Sequence, residues 1–473
     1  MNEKKPNGLA LIPFILFIGI YLGAGLIYQA QGVDFAFYQF PIITAMLIGI
    51  FVAFGYGKET LAEKFTIFAK GAGNEDILTM LVIYILAGAF SAVASAMGGR
   101  DAVVNLGLSI VPVPLLAAGI FIISAFMGTA TGTSMGTIGA IVPIAVGVAI
   151  KGNLSVPLVV GACIGGAMFG DNLSMISDTT IAATRSQGCE MRDKFRVNFF
   201  IALPAAVCTL IVLLIFGRPE TVTEMGDLSF NFIKVIPYLL VLILALIGLN
   251  VFLVLAIGIV SAGLIGIFTS SIGIADFAQS VWNGITGMDE TFYLSLLMGG
   301  FAALTAHNGG IAWIIEKLRA FMKGNKSAQV GIAALVSLVD CAVANNTVAI
   351  IISGKVAHDI SREYKVDPRR TASLLDVFAC VFQGILPYSA QPLSAASLAT
   401  AALAEASLAG LAPTDIIPYI WYCAFLFVFG LLSIFIPYAD GVCRKDPWNW
   451  EYNVAESGVE EKKKSLAIAS EEK

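Results

Sequence analysis

Charge is the first thing this chain has little of. Of its 473 residues only 13% are Asp, Glu, Lys or Arg, against roughly 25% in soluble domains, while 58% are hydrophobic. A water-soluble globular chain is excluded, and a polytopic membrane protein is the class that fits. Histidine is scarcer still, at two residues. The seven cysteines form neither a CxxC pair nor a metal-like spacing; Cys163, Cys208, Cys341, Cys380 and Cys423 lie in apolar sequence and read as small packing residues. A metalloenzyme and a resident metal are therefore not expected. No P-loop, GxSxG or dinucleotide fingerprint occurs, so neither an enzyme nor a cofactor is expected, nor transport driven by ATP on this chain. The net charge of -5 sits in loops and tails and points to no nucleic-acid partner. The first apolar run, 9–28, lacks an A-x-A cleavage site and reads as a transmembrane helix.

What the chain has is apolar runs, several of them interrupted. In the first half, spans are expected at 9–29, 41–54, 77–97 and 197–216, with a short interfacial segment at 103–111. The run 114–150 is interrupted at 128–137 by a glycine- and threonine-rich stretch. Its arms of about 14 residues, ~21 Å of helix, fall short of a ~30 Å hydrocarbon core. A re-entrant hairpin or two spans joined by a tight loop would both fit. The second half has spans at 232–249, 251–269, 291–313 and 416–438, an interrupted run at 330–356 centred on Ala344-Asn345-Asn346-Thr347, and another at 372–401 broken over 387–394.

The stretch Gly170-Asp171-Asn172-Leu173-Ser174-Met175-Ile176-Ser177-Asp178-Thr179-Thr180 lies inside the run 156–184. Ionisable groups in hydrocarbon cost several kcal/mol each unless they face water, an ion or a partner. Either this is a loop outside the membrane, or it is a broken helix whose unwound centre holds an ion or polar substrate.

The halves resemble each other. Ala87-Gly88-Ala89-Phe90 and Met97-Gly98-Gly99 recur 211 residues later as Met298-Gly299-Gly300-Phe301 and Asn308-Gly309-Gly310. An offset of 213 places Gly132-Thr133-Ser134 on Asn345-Asn346-Thr347. The expected domains are a first transmembrane repeat at 1–217, a linker at 218–231, a second, inverted repeat at 232–443 and a cytoplasmic polar tail at 444–473. With the N-terminus inside and five spans plus one hairpin per half, all 28 Lys and Arg fall on the inner side except Arg100, Lys151, Arg218 and Lys234. An odd span count turns the second half upside down. The expected fold is thus all-α, with inverted repeats of about five spans and one re-entrant hairpin each and broken helices at the midplane. It belongs in the cytoplasmic membrane of a prokaryote, multi-pass, with both termini cytoplasmic.

In that plan the two tips and the two breaks meet. Unwound backbone frees carbonyls for a hard cation, and Ser, Thr and Asn oxygens complete its shell without a further charge. Asp171, Asn172, Ser174, Ser177, Asp178 and Thr179 come from the first break, and Thr131, Thr133 and Ser134 from the first tip. The second half offers Asp340, Asn345, Asn346, Thr347, Ser389 and Gln391. Two carboxylates near one site can hold sodium, or take up a proton when it leaves; either aspartate could instead cap a helix start. Asp340 is a third ionisable group or pairs with a backbone end. His307 is a packed structural residue or a substrate contact or proton relay. Asp376, near the start of a broken span, is expected at the interface, and Glu316 in solvent.

The stretch 170–180 resembles the G-D-K-M-S-P-L-S-D-T-T signature of the NhaC-type sodium/proton antiporter family, with Asn172 where lysine is usual and Met175 where proline is usual. The likeness spans 124–204. Asn345-Asn346-Thr347 is similar to the Ser-Asn-Thr hairpin tips of sodium/dicarboxylate symporters in the wider ion transporter superfamily. The resemblance implies two hairpins, two broken spans and a homodimer. It also implies sodium and protons as cargo, exchanged by alternating access. The family includes members that exchange malate for lactate, and relatives that handle amino acids, so a small organic anion or amino acid coupled to sodium or protons is the alternative. A continuous ion channel fits two equivalent broken repeats poorly.

Overall fold

The computed structural model describes residues 5–31, 33, 39–175, 177–219, 228–247, 249–448 and 450. Every regular element among them is helical. The first half runs α1 Ile12–Ala30, α2 Ile42–Gly55, α3 Leu61–Ala72, α4 Glu75–Ala96, α5 Gly99–Ile110, α6 Leu116–Thr131, α7 Ser134–Lys151, α8 Val156–Leu173, α9 Asp178–Gln187 and α10 Met191–Phe216. The second runs α11 Phe232–Leu246, α12 Val251–Phe268, α13 Ile274–Thr286, α14 Asp289–His307, α15 Gly310–Arg319, α16 Asn325–Val343, α17 Asn346–Tyr364, α18 Pro368–Ile385, α19 Ala390–Glu405, α20 Pro413–Ile416, α21 Trp421–Phe435 and α22 Gly441–Lys445. Among the described residues nine helical stretches are long and apolar enough to cross a membrane, or ten if the pair Pro413–Tyr419 and Trp421–Phe435, bent by 54°, is one span. The chain is a multi-pass helical membrane protein. Most of the expected linker, 220–227, and most of the tail, 451–473, lie outside the described residues.

The helix order runs twice, in register. α5 and α15 start 211 residues apart; α7 and α17, α8 and α18, and α9 and α19 start 212 apart. Backbone geometry repeats with them. Gly98 (φ 78°) and Gly309 (φ 87°) are left-handed residues before α5 and α15, and Gly132 (φ 67°) and Ala344 (φ 51°) are left-handed residues after α6 and α16. Each tip is then closed by an extended residue whose side chain caps the next helix. Thr133 Oγ1 accepts from Gly136 N at 3.5 Å, and Asn345 Oδ1 accepts from Val348 N at 2.9 Å.

Several expectations are corrected. The tip arms α6 and α7 have 16 and 18 residues, not about 14, which is about 24 and 27 Å. The expected span 291–313 is interrupted at Asn308-Gly309, where α14 stops and α15 starts. The amphipathic helices α3 and α13 were not anticipated. In α3 a Thr60–Glu63 capping box starts the helix, and buried Lys64 points its ammonium back at the carbonyls of Phe54 (2.9 Å) and Gly57 (3.3 Å). The second break is confined to 386–389, so Gln391 and Ser394 are helical residues in the first turns of α19.

The centre is built on close helix contact. Between helices in lipid, packing of small residues supplies much of the attraction. α6 crosses α8 at Gly128 and Gly170, where an added Cβ on Gly170 would lie 2.5 Å from Gly128 C and Thr129 N. α8 and α18 are buried almost all round, so each carries its polar residues inside the protein and not at lipid.

Candidate functional site

α8 ends because the chain after Leu173 turns extended. Ser174 (ψ 137°) and Ser177 (ψ 140°) are in the β region, and α9 restarts at Asp178. The helix is thus interrupted between Leu173 and Asp178, with Ser174 and Ser177 buried and Met175 exposed. The second break starts at Leu386 and contains Pro387, which has no N–H to continue the ladder. Ser389 Oγ closes it, donating to the carbonyls of Gln383 (2.6 Å) and Leu386 (2.7 Å).

Asp171, in the last turn of α8, is 3% exposed and accepts two hydroxyl hydrogen bonds. Ser134 of the first tip donates to Oδ2 at 2.8 Å, and Ser177 of the break donates to Oδ1 at 2.5 Å. Ser177 Oγ also lies 2.8 Å from Thr179 Oγ1 and 3.5 Å from Asp178 Oδ1. Asp178 caps its own helix through Thr179 N (3.0 Å), and its other oxygen accepts from Thr347 Oγ1 of the second tip at 2.8 Å. From the first turn of α19, just after the second break, Gln391 Nε2 donates to Ser134 Oγ at 3.1 Å. One continuous network thus joins both tips, the first break and the start of α19. Among the described residues neither Asp171 nor Asp178 makes an ion pair.

A hydroxyl has one donor and two lone pairs. Ser134, Ser177 and Thr347 can therefore donate to bare carboxylates, or turn and present oxygen to a cation, or accept from a protonated carboxyl. Thr347→Ala removes one such group. The half-saturating sodium concentration is expected to rise about tenfold, the equivalent of 1.4 kcal/mol. A sodium titration of transport rate in liposomes checks this, and an unchanged half-saturation would remove the second tip from the site.

Of the other expected site residues, some satisfy themselves locally and some do not. Thr131 Oγ1 donates to Met127 O at 2.9 Å, and Thr133 and Asn345 are helix caps. Ser174 is buried at the end of α8. Asn346 accepts from Thr347 N at 3.0 Å while its Nδ2 is buried without a hydrogen-bond partner among the described residues. Asp340, wholly buried in α16, likewise has both carboxylate oxygens without one. His307 is not part of the network; at the end of α14 it lies 3.4 Å from Glu59 Oε1, with its side chain 35% exposed.

The expectation for Asp376 is corrected. It is fully buried in the middle of α18, and its Oδ2 accepts from Lys194 Nζ (2.5 Å), Asn198 Nδ2 (2.8 Å) and Asn172 Nδ2 (2.9 Å). Asn172 thus belongs to this second network and not to the shell of Asp171. Lys194, expected among solvated cytoplasmic charges, is 1% exposed. Ser373 donates to Asn198 Oδ1 and completes the group. The missed signal was helical spacing: Lys194, Val197, Asn198, Ile201 and Ala205 recur on the buried face of α10. Arg369 and Arg370, also expected in solvent, are buried against Asp367 (2.7 Å) and against Gln329 (3.2 Å) and Ser433 (2.5 Å).

Comparison with known proteins places this architecture. Residues 6–218 match the model of the Na+/H+ antiporter family. The chain is 24% identical to the malate-2H(+)/Na(+)-lactate antiporter of Bacillus subtilis over 421 residues, 80% of this chain and 86% of the relative. It is 25% identical to the arginine/ornithine antiporter ArcD of Halobacterium salinarum over 432 residues, 82% and 85% of the two chains. With the Na(+)/H(+) antiporter NhaC of Alkalihalophilus pseudofirmus it shares 28% identity over 212 residues, 42% of this chain and 45% of that one. The break with its two aspartates falls inside the matched segment, and that segment is similar to the Na+/H+ antiporter family.

Proposed function

We propose that this protein exchanges sodium for protons across a prokaryotic cytoplasmic membrane by alternating access. The observation that carries the reading is a pair of carboxylates, the buried Asp171 and the more exposed Asp178, linked through Ser177 and hydrogen-bonded, among the described residues, by hydroxyls and a backbone N–H. Two like charges held close together, one of them buried, favour an arriving cation. Sodium and protons compete for the same oxygens, so the site carries one out and the other back. The hydroxyls of Ser134, Ser177 and Thr347 serve either cargo by rotation, without a new desolvation cost. We read α6–α7 and α16–α17 as hairpins whose tips meet the breaks near the midplane. We read the second half as inverted, with both termini inside; the repeated helix order and the lysine and arginine distribution support this. A homodimer is the expected assembly.

The second reading is a cation-coupled exchanger of a small organic anion or amino acid. Two relatives carry such cargo in their names, and two buried amide atoms without a hydrogen-bond partner among the described residues, Asn346 Nδ2 and Gln391 Oε1, belong to side chains of the same network. The family favours the first reading. Purified protein in liposomes holding a pH-sensitive dye separates them. Under a clamped potential, a sodium gradient alone is expected to drive protons the opposite way, and potassium is not. Proton movement that requires malate, lactate or an amino acid would establish the second reading instead.

A further inference from the structure

The ammonium of Lys194 is held by three oxygens from three different helices. They are the carbonyl of Asn172 at the end of α8 (3.0 Å), the hydroxyl of Thr180 in α9 (2.7 Å) and the carboxylate of Asp376 in α18 (2.5 Å). A lysine ammonium has three donors, and here all three are used. One carbonyl, one hydroxyl and one carboxylate, all dry, form the donor set that hard monovalent cations take from proteins. The Asn172 carbonyl and Asp376 Oδ2 also accept from Asn198 Nδ2, at 3.2 and 2.8 Å, so the cage is rigid. This site adjoins the one just described, separated from it by a single peptide unit between Asp171 and Asn172. Asp376 has a tethered cation, whereas Asp171 and Asp178 have hydroxyls.

We propose that Lys194 is a built-in cation that fills a sodium-like cage between the two halves, neutralising Asp376 and confining exchange to Asp171 and Asp178. This rests on the antiport reading for what the cage excludes, but the cage itself can be tested apart from transport. The number of carboxylates left open fixes how many cations one cycle can carry, so Lys194 is a positioning residue for stoichiometry and makes no contact with cargo. A plain strut between α10 and α18 would need only the ion pair. The carbonyl and the hydroxyl from either side of the break are what a cation cage adds.

The experiment uses the full-length protein in detergent, with Asp171→Asn in every variant so that the main site is silent. Melting curves and radioactive sodium binding are recorded in sodium, methylammonium and choline. Removing the tethered ammonium with Lys194→Ala leaves a buried carboxylate unpaired, which is strongly destabilising. The variant is expected to melt several degrees lower in choline, to recover in sodium and in methylammonium, and to bind one sodium that Asp171→Asn alone does not. Lys194→Met with Asp376→Asn removes both charges and is expected to fold equally well in all three salts. Equal loss in all three salts by Lys194→Ala, or its failure to fold even in sodium, would reduce the pair to a strut and overturn the proposal. Recovery by cations that persists in the doubly neutral variant would place the effect elsewhere and overturn it too. Sodium recovery here, with no sodium-driven proton flux in wild-type liposomes, would sink antiport and leave the cage standing.

Discussion

Asp171→Asn is expected to bring sodium-driven proton movement down to the background of empty liposomes while leaving the protein folded. The substitution is nearly isosteric. An asparagine oxygen still accepts from one of Ser134 and Ser177, and its amide can donate to the other, so both hydroxyl contacts survive. What disappears is the charge that sodium and protons share. Because a buried charge held only by neutral donors is costly to keep dry, its removal is not expected to lower the thermal midpoint. Activity and stability therefore separate. Sodium should also cease to protect the protein against heat, since a ligand stabilises only the state that binds it. Retained sodium-driven flux in the variant would remove Asp171 from the site.

The second large effect is steric. Gly170→Ala places a methyl group 2.5 Å from Gly128 C and Thr129 N, both backbone atoms that cannot rotate away. α6 must move off α8. Overpacking of this kind costs about 1–3 kcal/mol, and the movement here is transmitted directly to function. The first tip is the end of α6, so displacing it carries Ser134 away from Asp171. Transport is expected to fall at least as steeply as stability. Gly128→Ala on the facing helix meets Ala167 O at 2.9 Å and Gly170 Cα at 3.1 Å, a milder clash, and should give an intermediate loss. Exchange rates and melting temperatures of the two variants test the order. A fully active Gly170→Ala protein would mean that contact between tip and break is dispensable.

Much of the site could be read from the chain because polar residues stood where apolar ones were required. Asp171, Ser177, Asp178 and Thr347 interrupt runs otherwise long enough to span, and interruption at fixed spacing in both halves made the tips and breaks visible. The second network was hidden for the same reason in reverse. Lys194 lies at the end of a cationic run, and Asp376 near the start of a span, where charge is ordinary. Only the partner, 182 residues away, makes either of them central. Thr131, Thr133 and Asn345 mark a second limit. Small polar side chains can bond their own backbone as readily as a ligand, and composition does not say which they do. The interruption at Asn308-Gly309 escaped notice because apolar sequence on both sides averaged it away.

During synthesis Lys194 reaches the bilayer well before Asp376. On insertion scales each such charge opposes entry by about 3 kcal/mol at mid-helix. α10 compensates with the long apolar run from Val197 onward. α18 begins Pro368-Arg369-Arg370 and carries Asp376 and Gln383, and it has no comparable reserve. Pairing Asp376 with the ammonium of Lys194 offsets the cost of its charge once the two helices are together. Chain order therefore delivers the ammonium of Lys194 before the carboxylate that it pairs with.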